Sequence, residues 1–111
     1  MDPKIKELSD KLHQLHEKIM ETDPWENGYG EVIDIHEQLS KVLRDAAHKS
    51  MADFKTNLEL TSKELEQRWT SNRSLLSGWG DTLGPVLDLV ESFLPPPANL
   101  VVNLLGKRLN L

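Results

Sequence analysis

The stretch "VLRDAAHKSMADF", residues 42–54, decides how many helices this chain has. Before and within it, Val32, Ile35, Leu39, Val42 and Ala46 recur at spacings of three and four, the period of one helix face. After "RDAAHKS" the stripe continues through Ala47, Met51, Phe54, Leu58, Leu65 and Trp69, moved by one position. Such a shift has the form of a stutter in a heptad pattern, which predicts one long helix from residue 31 to about residue 72. Glu37 with Lys41, Glu59 with Lys63 and Glu64 with Arg68 stand acid before base at i, i+4 along it. A competing reading breaks the helix at Thr61, where "TSKE" matches the S/T-x-x-E capping box, but the apolar spacing does not lapse there and continuity is favoured.

Upstream, "DPKIKELSDKLHQLHEKIMET" opens with Asp2 as a natural N-cap and Pro3 at the first helical position, where a missing N–H costs nothing. Ile5, Leu8, Leu12, Leu15 and Ile19 form a narrow stripe suited to one neighbouring helix, and Glu7 and Lys11 support the exposed face. "TDPWENGYG" then punctuates the chain with Asp-Pro and Asn-Gly dipeptides, which stop the helix and reverse it. Trp25 and Tyr29 are large apolar groups in this polar loop. They are expected to fold back over the end of the helix pair as a plug, with an exposed partner contact as the alternative.

The short first helix covers only half of the long one, so the stripe from Met51 to Trp69 needs cover from the C-terminal part or from another copy. "TSNRSLLSGWGDTLGP" supplies a reversal, with Trp79 between two glycines. A third helix is predicted from about Pro85 to Leu94, with Val86, Leu87, Leu89, Val90, Phe93 and Leu94 on one side. "LPPPA" is a short stiff spacer of about 3 Å per residue. Beyond it, a helix over 97–111 would gather Asn99, Asn103, Gly106, Lys107 and Asn110 in one narrow sector. Leucine and valine fill most of the rest, so it calls for a core, a subunit or a lipid interface as cover.

At 111 residues, with 38% hydrophobic and 28% charged residues, the chain makes one helical domain, small enough for a partner to contribute to its stability. The 13 basic and 18 acidic residues give a net charge of -5 and are interleaved, which argues against nucleic acid as a partner. There is no cysteine, and hence no disulfide framework. The N-terminus lacks the apolar run of a signal peptide, which favours the cytoplasm with the membrane periphery as an alternative. The apolar runs flanking the prolines are too short and too interrupted to span a bilayer.

No constellation for chemistry stands out, and no catalytic residue, cofactor or metal site is expected. His13, His16 and Glu17 on the first helix and His36 on the second lack a strong zinc spacing and read as solvated histidines beside a seam. No G-x-S-x-G elbow occurs, and the glycines at 78, 80 and 84 lack the lysine of a phosphate cradle. "WENG" and "GWG" are similar to the W-x-G turn of small secreted helical-hairpin proteins. Neither tryptophan has a glycine two residues on, and no family is assigned.

The reading is therefore an all-α, helical-bundle protein: an antiparallel, coiled-coil-like hairpin over 1–73, then an amphipathic pair over 74–111 hinged at prolines 95–97. The expected function is non-enzymatic assembly or adaptor work through helix contacts, with a protein partner or self-association to an oligomer. Insertion of the C-terminal helices into a lipid surface is the alternative. Trp25, Tyr29 and Trp79 in the loops, and Leu100, Val101, Leu104, Leu105 and Leu109 near the end, are the expected partner-binding residues.

Overall fold

A computed structural model of the chain describes residues 2–69, 76, 78–94 and 96. Among them the protein is all helical, with α1 (Pro3–Glu21), α2 (Tyr29–Asp45), α3 (Met51–Trp69) and α4 (Gly80–Phe93) packed as a bundle. The Asp2 carboxylate accepts from the Lys4 N–H at 2.8 Å and Pro3 opens α1, as their sequence order predicts. All five residues of the expected α1 stripe are buried. The helix ends at Thr22, whose N–H bonds the Ile19 carbonyl and whose hydroxyl donates to the Lys18 carbonyl. Gly28, at a φ of 83°, precedes α2 in a left-handed conformation that a side chain would strain.

The expected long helix is two helices. Residues 46–50 form a corner between α2 and α3, so the one-position shift of the stripe marks a change of direction and not a stutter. Ser50 caps the second helix: its hydroxyl accepts from the Asp53 N–H at 3.2 Å, and its carbonyl accepts from Phe54. "SMAD", residues 50–53, is the capping signal that matters. At "TSKE" the helix runs on unbroken, and the buried Ser62 hydroxyl donates back to the Leu58 carbonyl. Ala47 and Met51, expected in the stripe, are exposed at the corner.

The corner turns α3 back along α2. Near its end, Arg68 reaches Asp34 in the second turn of α2 at 2.8 Å while also meeting Glu64. α3 is thus covered by its own preceding segment, a solution unavailable to a single long helix. α1 lies against α2 on one side and α4 on the other. The ring of helices closes where Phe54 of α3 meets Phe93 of α4 edge to face.

α4 begins at Gly80, five positions before the expected start, and carries Pro85 within it on the exposed side. A proline there removes one i→i−4 bond, to the Asp81 carbonyl, without blocking the buried face. Leu83, Val86, Leu87, Val90 and Phe93 fill that face and Leu94 follows them into the core. Leu89 is half-buried. The expected last helix, the turn over 70–75 and the side chain of Trp69 lie outside the described residues.

Candidate interaction surface

The α1–α2 loop end concentrates the aromatic residues singled out in the sequence, but they have different fates. Trp79 is 4% exposed, with its indole N–H directed at the Asn27 carbonyl at 3.4 Å and the Lys18 ammonium 5.1 Å from its ring centre. It is a core residue pinning the start of α4 to the loop, and its surface is not presented to a partner. Tyr29 is half-buried against the core and acts as the expected plug. Trp25 does not fold back: it is 79% exposed. Leu100, Val101, Leu104, Leu105 and Leu109 lie outside the described residues.

Beside this loop, on the outer side of the α1–α2 seam, is a groove of about 380 Å³ lined by Ile19 and Met20 from α1 and by Tyr29 and Ile33 from α2. Met20 is 72% exposed. Farther along the same pair of helices, a second groove of about 600 Å³ is lined by Ile5, Leu43, Ala46 and Ala47, with Asp2 at the end. Arg44 borders both, so the two form one furrow divided by a single long side chain. Met20 and Ile33 escaped the sequence reading because each stands next to a stripe residue, Ile19 or Val32, and looks redundant with it. Apolar groups adjacent to the stripe on both partners were the available signal, since they widen each face beyond what one seam consumes.

Two histidines form the wall of the first groove. His36 Nε2 donates across the seam to the Leu12 carbonyl at 3.1 Å, and its ring lies 5.4 Å from that of His16. Burial, reinforced by the neighbouring His16, lowers the pKa of His36, against the opposing pull of the Leu12 bond and of Glu37. His36 is thus a half-buried seam residue, where a solvated one was expected. His13 instead pairs with Glu17 at 3.0 Å on the exposed face. Among the described residues no group of three or more His, Cys, Asp or Glu side chains could hold a metal.

Residues 17–37 carry seven carboxylates against Lys18 as their one Lys or Arg; Asp34 is paired with Arg68 and Glu17 with His13, and Glu21, Asp23, Glu26 and Glu31 leave the loop end acidic. Among the described residues no helix is long and apolar enough to cross a membrane. No family model, curated protein or solved structure matches the chain.

Proposed function

We propose that this chain is a non-enzymatic assembly or adaptor module that self-associates through helix contacts, with the apolar segment 98–111 as its main contact. The observation that carries the reading is apolar surface left uncovered among the described residues: Trp25, Met20 and Leu60 stay 79%, 72% and 59% exposed while twenty apolar residues are buried in the core. Large exposed apolar groups beside a groove are the usual mark of a surface that another molecule covers. Segment 98–111 has matching character, with seven leucines and valines and no carboxylate side chain.

Light scattering across protein concentration tests this reading. The full chain is expected to gain mass with concentration, and substituting Leu104 and Leu105 together by Asp is expected to return it to the monomer. A monomer at every concentration, or an assembly indifferent to that double substitution, would sink it. Co-sedimentation with anionic vesicles that depends on residues 98–111, without self-association, would assign the segment to a lipid surface instead.

A further inference from the structure

We infer that the furrow on the outer side of the α1–α2 seam receives segment 98–111 of a second copy, with its Lys107–Arg108 pair directed at the acidic loop around Trp25. The inference rests on the proposed self-association and adds where the segment binds and which way it runs. Two features of the surface argue for another molecule as the cover. Among the described residues nothing covers Trp25 and Met20, which remain exposed. The two grooves join at Arg44 along the full α1–α2 pair, a shape suited to an extended or helical apolar segment rather than to a small ligand.

Charge sets the occupant and its direction. The loop end carries Glu21, Asp23, Glu26 and Glu31, whereas residues 98–111 hold two basic side chains and no acidic one, both basic groups close to the segment's end. Placing Lys107 and Arg108 beside Glu21, Asp23 and Glu26 pairs opposite charges; the reverse direction would bring them to the groove lined by Arg44, with Asp2 as its one carboxylate, and leave the loop acids alone. Leu100, Leu104 and their neighbours then face the grooves.

The geometry of the bundle also sets the symmetry. Trp79, just before α4, meets Asn27 of the loop, whereas Phe93, at the end of α4, meets Phe54 next to the corner. The chain therefore leaves α4 at the end opposite Trp25. Two copies side by side about a two-fold axis along the helices, with their loop ends together, place each departing segment at the corner end of the other's furrow, from which it runs toward the other's Trp25. This gives two identical contacts and a closed dimer.

The test uses the full chain in sedimentation velocity, with circular dichroism as a control for folding. Met20→Glu combined with Trp25→Ser alters only exposed side chains and is expected to raise the dimer dissociation constant by about tenfold or more, with the melting curve of the monomer unchanged. Lys107→Glu with Arg108→Glu is expected to weaken the dimer similarly, and adding Glu21→Lys with Glu26→Lys is expected to restore part of it. Mixing the Met20/Trp25 variant with the Leu104→Asp, Leu105→Asp variant should form a heterodimer through the one intact contact. A dimer that Leu104→Asp with Leu105→Asp disrupts but the Met20/Trp25 variant leaves unchanged overturns this inference and spares the self-association reading. A wild-type chain that stays monomeric overturns both. Weakening by both charge reversals without rescue in the fourfold variant overturns the assigned direction.

Discussion

Phe54, in the first turn of α3, and Phe93, at the end of α4, meet edge to face with ring centres 5.2 Å apart. The contact joins the two helices at the ends of the packing order α3–α2–α1–α4, at the corner end of the bundle, and both rings are buried. Phe93→Ala is expected to destabilise the fold by about 3–5 kcal/mol, because it leaves a cavity that its neighbours fill only in part. A double-mutant cycle with Leu at both positions should show a coupling of about 0.5–1.5 kcal/mol in chemical denaturation. Additive losses would mean that the rings contribute as separate hydrophobic groups only.

The two candidate capping boxes make opposite predictions. Ser50→Ala removes the hydroxyl that accepts the Asp53 N–H and should lower stability by about 1 kcal/mol. Thr61→Ala falls inside α3, where alanine is the better helix former, and should be neutral or raise stability by up to about 0.5 kcal/mol. Thermal melts of the two variants compared at one pH decide the matter; a larger loss at Thr61 would place the helix start there.

His36 gives the bundle a defined response to acid. Burial lowers its folded-state pKa below the ordinary value of 6.5, with His16 adding to the effect. Just below pH 6.5 the unfolded chain therefore takes up a proton that the folded chain refuses, and stability falls as the pH drops from 6.5 toward the depressed value. Above pH 6.5 both states are neutral at this site and its contribution is complete. His36→Gln, which retains a donor for the Leu12 carbonyl, should flatten this part of the stability profile measured by urea unfolding between pH 5 and 7.5. An unchanged slope would place the acid sensitivity elsewhere.

Gly84 lies inside α4 with open space where a β-carbon would stand. Gly84→Ala is expected to stabilise the protein by about 0.5–1 kcal/mol through the smaller entropy of the unfolded chain and the better helix propensity of alanine. A rise in the melting midpoint is the expected readout, and a fall would reveal a backbone at residue 84 that alanine does not tolerate.

The all-helical bundle was legible because burial follows period. Ile5 through Ile19 on α1 and Val32 through Val42 on α2 are buried at the positions their spacing predicts. The corner was not, because a one-position shift of a stripe has two physical meanings, a local change in winding or a change of direction, and periodicity is blind to the difference. Hydrogen bonding at Ser50 separates them, and its signature was visible in "SMAD". α4 started early because Pro85, a common first residue of a helix, is also tolerated within one when its missing bond faces solvent. Trp25 and Trp79 had equal claims as aromatics near glycines. Only tertiary packing, which takes Trp79 into the core and bonds its indole to the Asn27 carbonyl, consumed one and left the other outside.

The indole bond between Trp79 and Asn27 bears on the order in which the molecule assembles. The two residues are 52 positions apart, whereas α1 with α2 and α2 with α3 are joined through short turns. Closing the long loop is entropically the harder step, so the three-helix part can condense from near neighbours before α4 is captured. The same asymmetry makes α4 the natural first unit to detach. Loss of Trp79 from its pocket would then announce the opening of the bundle before the seam between α1 and α2 gives way.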